Sequence, residues 1–228
     1  MFVAEGPRVV AAAFDHGAPV RCVYLGGAGP LAARAGARGI PVRLLPPGAA
    51  ARVGTTVTPQ AAFALVELRR AGTEALAGAD LAVVGAPLTD PGNVGTLMRS
   101  LAAAGGGALG LGAGSVDAYN PKVVRASAGA CFAIRIGEGV PAVEMLEALG
   151  ARGVRRVGAV ARGGAPPEAL DLAGPVAFVL GHEAHGLDPH LPLDDLVTIP
   201  MAAGESLNAA MAGTVLCFEV ARRRRAAG

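Results

Sequence analysis

Residues 81–100 read LAVVGAPLTDPGNVGTLMRS, an apolar run of strand length followed by a turn and then by a helical pattern. At about 100° per residue, the apolar side chains of Val94, Leu97, Met98 and Leu101 share one side of that helix. Polar residues occupy the opposite side. A buried strand followed at once by an amphipathic helix predicts one repeating unit of an α/β fold.

Strand and helix patterns alternate along the rest of the chain after this unit. We predict further strands at residues 108–111, 133–136, 155–159, 176–180 and 197–199, and helices at residues 121–127, 140–148 and 206–222. Such alternation favours a parallel sheet with helices on both faces.

A second, shorter alternation precedes the quoted unit. We predict helices at residues 7–14 and 30–38, strands at 20–25, 41–45 and 61–68, and a turn or helix at 48–53. Charged and small residues then interrupt the apolar pattern. We therefore expect a small α/β domain over residues 1–70, a short linker over 71–78 and a larger α/β domain over 79–228.

Composition and charge narrow the class of protein. Of the 228 residues, 52% are hydrophobic and 17% are charged, with a formal net charge of +2, which is typical of a globular chain. There is no apolar run of about 18 residues and no basic-then-apolar start, so we predict a cytoplasmic protein without a membrane partner.

Cys22, Cys131 and Cys217 lack metal-ligand spacing and indicate buried thiols. The basic run 222–225 is interpreted as the solvated end of the last helix.

Three polar segments lie at or just beyond the ends of predicted strands, where open α/β sheets bind ligands. The first contains Asn93 and Arg99, the second reads GHEAHGL over residues 181–187, and the third reads IPMAAGESLN over residues 199–208. Glycines that bracket a carboxylate after a buried strand let the backbone approach a ligand closely. We therefore expect one binding site built from all three segments.

Each segment also has an ordinary structural interpretation. Asn93 and Ser206 could cap the helices that follow them, Glu183 could cap a turn, and Arg99 could be solvated. Asn208 has no such interpretation, since it would lie inside the last helix, where asparagine is an indifferent helix former.

Other kinds of site lack their motifs. The chain contains no Gly-x-x-x-x-Gly-Lys-Ser/Thr loop and no Gly-x-Gly-x-x-Gly after its first strand, which disfavours a P-loop nucleoside triphosphatase and an ordinary dinucleotide-binding domain. His182 and His185 flank Glu183 on a predicted loop, without the helical spacing of zinc motifs. We therefore expect no metal.

In their order and spacing the three segments resemble the signature motifs of the SpoU family, which are RNA 2′-O-ribose methyltransferases of the SPOUT class. The resemblance covers about residues 80–225, and residues 119–129, YNPKVVRASAG, are similar to a segment that follows the family's first motif. Residues 3–8 and 58–60 resemble, more weakly, the substrate-binding domain of the family's rRNA-modifying members.

The resemblance implies a fold, a cofactor and an assembly. The parallel sheet would end in a deep C-terminal trefoil knot, and the front α/β domain would bind RNA. S-adenosylmethionine (AdoMet) would be the methyl donor. It would be held by Gly181, Ile199, Leu207, Met201, Ala159 and Val160. The family works as a homodimer with the last helix near the interface, and the helically spaced apolar residues of that helix fit either an interface or an ordinary core face. These residues are Leu207, Met211, Val215 and Phe218.

The resemblance also implies an enzyme with five catalytic residues. The family arginine that matches Arg99 is often proposed as the general base, but a guanidinium stays protonated at pH 7. We expect charged Arg99 to stabilise the developing oxyanion and to grip a phosphate. Asn93 and Asn208 would orient Arg99 and the ribose, Glu183 would fix Arg99 or Asn93, and Ser206 would hold the loop or contact the substrate.

We expect the RNA to be contacted through phosphates by Arg125, Arg8 and Lys122. The small front domain is typical of rRNA-modifying members, so 23S rRNA is the expected substrate. Two alternatives remain: the same reaction on tRNA, and a non-catalytic RNA-binding or assembly factor with the same fold.

Overall fold

Two β-sheets organise the chain, one of four strands near the N-terminus and one of six strands that follows it. The computed structural model describes residues 1–55, 60–182 and 184–227. Glu183 and residues 58 and 59 of the front-domain resemblance therefore lie outside the described residues.

The front sheet has the strand order β1-β4-β2-β3. β4 is antiparallel to both of its neighbours, whereas β2 and β3 are parallel. Its strands are β1 (Phe2–Glu5), β2 (Val20–Leu25), β3 (Val42–Leu44) and β4 (Ala62–Val66), and the helices between them are α1 (Pro7–Asp15), α2 (Pro30–Gly36) and α3 (Ala49–Val53). Both α1 and α2 begin with proline, whose missing N–H costs nothing in a first helical turn.

The larger sheet has the strand order β10-β8-β9-β5-β6-β7, and each neighbouring pair is parallel. Its strands are β5 (Leu81–Ala86), β6 (Ala108–Leu111), β7 (Arg135–Glu138), β8 (Arg155–Ala159), β9 (Val176–Gly181) and β10 (Asp195–Val197). The helices between and after them are α4 (Pro91–Ala103), α5 (Pro121–Ala126), α6 (Ala142–Gly150) and α7 (Ala209–Ala227). The predicted parallel α/β sheet is confirmed.

Alternate residues of the central strand β5 point into two apolar cores. Leu81 and Val83 pack with the buried faces of α4, α5 and α7. Ala82 and Val84 pack on the other side with α6 and with Leu76 of a short 3-10 helix, Thr73–Leu76. Helices thus cover both faces of the sheet, as the alternation of strands and helices predicts.

The front sheet packs directly onto the larger one, because a single apolar core runs through both. Phe2 on β1 contacts the rings of Tyr119 and Phe132 at centroid distances of 4.8 and 6.0 Å. Arg70 pairs with Glu138 and, at 2.9 Å, with Asp117. Leu76 is buried although it lies in the segment predicted as a linker. The division of the chain into domains stays a prediction.

Several elements differ from the prediction, among them β7 and α6, each of which lies two residues later than predicted. β1 was not anticipated, because four residues are too few to show a period and three of them are buried. The strand predicted at 197–199 lies at Asp195–Val197, and the last helix begins at Ala209 rather than at residue 206.

The prediction that the basic run 222–225 is a solvated helix end is wrong for two of its arginines. Arg223 donates hydrogen bonds to the carbonyls of Leu170 at 2.7 Å and Pro167 at 2.5 Å. Arg224 donates to the carbonyl of Asp80 at 2.9 Å. These bonds fasten the end of α7 to the loops before β5 and β9.

The cysteines are free thiols, and Cys131 and Cys217 are buried as expected, whereas Cys22 is half-buried. Burial raises the pKa of the Cys217 thiol to about 12. Within the described ranges, no helix combines the length and the hydropathy that a membrane span requires.

Candidate active site

A cavity of about 410 Å³ opens where β8, β9 and β10 end. The loop after each of these strands supplies part of its wall, and the first turn of α7 closes it. Parallel strands bring their carboxyl ends to one edge of a sheet, which explains why segments far apart in sequence meet here.

The six residues expected to hold the cofactor all line this cavity. Each of the three loops contributes. They are Ala159 at the end of β8 and Val160 directly after it, Gly181 at the end of β9, and Ile199, Met201 and Leu207 between β10 and α7.

After β9 the backbone of His182 pairs with that of Gly186. His182 and Gly186 exchange backbone hydrogen bonds of 3.0 and 2.8 Å, and Gly186 has a positive φ of 71°. A Cβ atom on Gly181 would lie less than 3.0 Å from the backbone of Gly186. The site therefore depends on glycine at position 181 for close packing of the backbone.

The loop after β8 is held against β10 by Thr198. The Thr198 hydroxyl accepts from the backbone N–H of Gly164 at 2.9 Å and donates to the carbonyl of Val160 at 3.1 Å. A Cβ atom on Gly164 would lie 2.6 Å from the carbonyl carbon of Val197. The sequence analysis missed Thr198, because the strand predicted at residues 197–199 placed it inside a strand and not in the loop that follows one.

Asn208 caps α7 and reaches the first motif. Its Oδ1 atom accepts from the backbone N–H groups of Ala210 at 2.9 Å and Met211 at 3.3 Å. Its Nδ2 atom donates to Oδ1 of Asn93 at 3.0 Å. The expectation that Ser206 caps this helix is wrong, because the helix starts three residues later and Asn208 holds the cap position.

Asn93 is likewise not a cap. The cap of α4 is Asp90, whose Oδ1 atom accepts from the backbone N–H of Asn93 at 2.7 Å. The Asn93 side chain instead binds Asn208, so the ordinary interpretation of Asn93 as a cap is wrong. A second bond between the same helices joins the hydroxyls of Ser100 and Thr214 at 2.6 Å.

The structure brings some predicted catalytic residues together and not others. Ser206 and Asn208 line the cavity, and Asn93 is linked to it through Asn208. Arg99 is exposed on α4, six residues beyond Asn93 or about 9 Å along the helix, and does not line the cavity. Among the described residues, Arg99 has no hydrogen-bond or ion-pair partner. Glu183 lies outside the described part of the chain.

The three residues expected to bind RNA lie on both sides of the junction between the sheets. Lys122 is exposed and Arg125 half-buried on α5, which packs so closely on α4 that a Cβ on Gly95 would lie less than 3.0 Å from Ala126. Arg8 is exposed in the first turn of α1. Their contacts with RNA stay a prediction.

Within the described residues, no group of three His, Cys, Asp or Glu side chains is arranged to hold a metal ion. The rings of His182 and His185 stack with centroids 4.9 Å apart.

Comparison with solved structures first gives the class of fold. The SpoU methyltransferase AviRb from Streptomyces viridochromogenes, in complex with AdoMet, superposes with a TM-score of 0.86 at 28% identity, covering 98% of this chain and 90% of AviRb. An AdoMet-bound rRNA methyltransferase from Sinorhizobium meliloti superposes with a TM-score of 0.85 at 28% identity, covering 97% of this chain and 87% of its own. The fold is that of the SpoU methyltransferases.

Residues 80–218 match the SpoU rRNA Methylase family, and the chain belongs to that family. It is 32% identical over 186 residues to the 23S rRNA (guanosine(2553)-2′-O)-methyltransferase RlmP of Bacillus subtilis, covering 80% of this chain and 73% of RlmP. It is 36% identical over 141 residues to an uncharacterized tRNA/rRNA methyltransferase of Mycobacterium tuberculosis, covering 60% of this chain and 44% of the relative. The chain thus spans less than half of that second relative. The resemblance stated from the three motifs is confirmed.

Proposed function

We propose that this chain transfers a methyl group from AdoMet to a ribose 2′-hydroxyl of structured RNA, with 23S rRNA as the favoured substrate. One observation carries the proposal. In a member of the SpoU family, the six expected cofactor residues line one cavity, and Asn208 on its wall is hydrogen-bonded to Asn93 of the first motif.

The cavity fits the proposed donor in size and in lining. Its volume of about 410 Å³ falls in the range of roughly 300–1,000 Å³ that is usual for small-molecule sites. Ile199, Met201 and Leu207 offer apolar contact for a flat base, and the close backbone at Gly181 offers N–H and C=O groups. Bound AdoMet would supply a methyl group already activated by its sulfonium.

The chain's own contribution is to position the ribose oxygen and to favour loss of its proton. The amide of Asn208 is fixed by two backbone N–H groups and by Asn93, so its direction is set before any substrate arrives. Ser206 lies beside it on the cavity wall. We propose that Asn93 and Asn208 orient the ribose and that Ser206 contacts the substrate or holds its loop. Glu183 would fix Asn93 or Arg99.

Arg99 would stabilise the negative charge that develops on the ribose oxygen and would bind a neighbouring phosphate. It stays protonated at pH 7, which suits an electrostatic role better than that of a base. Because Arg99 does not line the cavity of its own chain, it would meet the substrate at the rim or at the cavity of a partner subunit.

An exposed apolar stripe on α7 supports a homodimer. Three of its four residues project from the helix and Leu207 lies just before it, while Leu216, Cys217 and Val220 form the buried face. The stripe consists of Leu207, Met211, Val215 and Phe218, with exposed fractions of 38%, 61%, 44% and 42%. A contiguous apolar surface next to the site is what a self-complementary interface requires.

Contacts between three loops support the proposed trefoil knot. Ala165 in the loop after β8 bridges to Val197 on β10, and residues of the turn after β9 and of the segment that leads into α7 line the same cavity. Such close passage of three loops is what a knotted chain would need.

The front sheet supports rRNA over tRNA. AviRb and the Sinorhizobium rRNA methyltransferase cover 98% and 97% of the chain, the front sheet included. A structure concerned with 2-OH methylation of C/U34 on tRNA covers 65%, with a TM-score of 0.56 at 28% identity. We propose that the front sheet helps to bind rRNA, with tRNA as the second candidate.

Transfer of tritiated methyl from AdoMet tests the proposal. We expect label in an unmodified 23S rRNA transcript and not in bulk tRNA. Arg99→Ala should lower the rate by about 10²-fold while AdoMet affinity is unchanged. Label in tRNA alone would favour the second candidate, and label in neither RNA would contradict the proposal.

A further inference from the structure

A buried carboxylate lies at the junction of the two sheets. Glu5 ends β1 and is only 8% exposed. A carboxylate removed from water needs hydrogen-bond donors to offset its lost solvation. Thr55 donates to the same Oε2 atom twice, from its backbone N–H at 2.9 Å and from its hydroxyl at 2.6 Å. The exposed threonine and the buried charge therefore form one unit.

The bond to Glu5 sets the direction of the Thr55 hydroxyl. A hydroxyl has one proton to donate and two lone pairs to accept with. Because the proton is directed at Glu5, the lone pairs face away from it, and Nη1 of Arg125 donates to the same oxygen. The negative charge behind the hydroxyl strengthens its hold on a cation.

Arg125 lies close to the first motif. The next residue, Ala126, packs against Gly95, which is between Asn93 and Arg99 on α4. A guanidinium has five N–H donors, and the bond to Thr55 uses one of them. Within the described ranges no carboxylate pairs with Arg125, so its charge is available to an anion.

We infer that Glu5 and Thr55 are positioning residues for RNA binding, which hold the Arg125 guanidinium toward a backbone phosphate of the bound RNA. The inference rests on the proposed function and extends it, since a buried charge of the front sheet then directs a cation on α5, the helix that packs against α4. A guanidinium binds a phosphate through N–H groups that lie in one plane, so the strength of binding depends on the direction of that plane. A guanidinium that is free to rotate therefore binds the phosphate more weakly.

Substitutions at Thr55 test the inference. Thr55→Val keeps the shape of the side chain and the backbone bond to Glu5 but removes the hydroxyl. We expect KM for an unmodified 23S rRNA transcript to rise about fivefold with kcat unchanged, as for loss of one binding hydrogen bond. Thr55→Ser keeps the hydroxyl and should restore KM to within about twofold of the original value.

A double substitution separates positioning from general stability. Arg125→Ala alone should reduce the salt dependence of transcript binding by about one phosphate contact. The double variant Thr55→Val/Arg125→Ala should then have the same KM as Arg125→Ala alone, because the effects of two substitutions that act through one contact are not additive. A further rise in KM in that background, an unchanged KM in Thr55→Val alone, or failure of Thr55→Ser to restore KM would overturn the inference.

Failure of the proposed function would look different. A chain that transfers no methyl to any RNA would contradict the proposed reaction. Filter binding of the same transcript to the original chain, Thr55→Val, Arg125→Ala and the double variant would still measure the dependence of Arg125 on Thr55.

Discussion

Asn208 joins two roles in one side chain, because its oxygen caps α7 and its nitrogen reaches Asn93. Asn208→Ala should remove both, which lowers stability by about 1 kcal/mol and the melting temperature by about 2–4 °C. Asn208→Ser keeps a capping oxygen but is too short to reach Asn93. We expect Asn208→Ser to melt like the original chain yet to methylate RNA about tenfold more slowly.

Calorimetry and initial rates on these two variants would separate the roles. Full activity in Asn208→Ser would show that the bond to Asn93 is dispensable.

At Gly181, in the cavity wall, the backbone packs closely against the backbone of Gly186. In Gly181→Ala the new Cβ would collide with the backbone of Gly186, so the turn must open and AdoMet affinity should fall at least about tenfold. Gly174→Ala is a matched control, since its Cβ would have no heavy atom within 4 Å. Titration calorimetry measures the AdoMet affinity of both variants. Equal affinities would show that Gly181 is not part of the AdoMet site.

At the residue scale, two of the three segments singled out from the sequence line the cavity, but individual side chains were misassigned. Asn208 looked misplaced inside a helix because the helix start was set at Ser206, where serine is as good a cap as asparagine. The choice between them depends on where the chain leaves β10, which no local pattern shows. The cofactor residues came from the family resemblance, because backbone contacts leave little trace in side-chain identity.

Among the elements, the C-terminal part of α7 contains ion pairs between Glu219 and two arginines. Glu219 accepts hydrogen bonds from Arg222 and Arg223, which lowers its pKa to about 2 from a usual 4.5. A lowered pKa in the folded chain stabilises it fully above pH 4.5, and this stabilisation is lost as the pH falls toward 2. Between pH 6 and pH 3 we therefore expect the melting temperature to fall further in the original chain than in Glu219→Gln.

Differential scanning fluorimetry across that range measures the difference, since the other carboxylates titrate in both chains. Parallel curves would show that the ion pairs of Glu219 contribute nothing to stability.

The elements of the larger sheet could be predicted because strand and helix patterns differ in period. The faces of α7 could not. This helix is apolar on two sides. The side with the larger apolar residues, Met211 among them, is exposed, whereas the buried side includes the small residues Ala210 and Gly213. Small residues allow close packing on α4 but weigh little in a hydrophobicity pattern. Which side is the core therefore depends on the partner helix and not on α7 alone.

For the whole molecule, the exposed stripe of α7 predicts self-association. Met211→Glu places a charge at a position that is 61% exposed in the single chain, so folding should be unaffected while a dimer interface should be disrupted. Leu44→Glu, at a site 66% exposed on the front sheet, is the matched control. Sedimentation velocity should show a dimer for the original chain and Leu44→Glu, and a monomer for Met211→Glu. A monomeric original chain would contradict the proposed homodimer.

The arrangement of the two sheets was beyond the reach of periodicity. The sequence indicated two α/β units, but the shared apolar core and the contacts of Phe2 depend on β1, which carries no pattern of its own. Long-range packing of this kind arises from shape complementarity between elements.

The position of the transferred methyl tests the central claim most directly. RNA labelled from tritiated AdoMet is hydrolysed in alkali, which cleaves beside every free 2′-hydroxyl but cannot cleave beside a methylated one. We predict that the label appears in one alkali-resistant dinucleotide from 23S rRNA. Label released in mononucleotides would show methylation of a base and would contradict a site built to present a ribose oxygen beside Asn208.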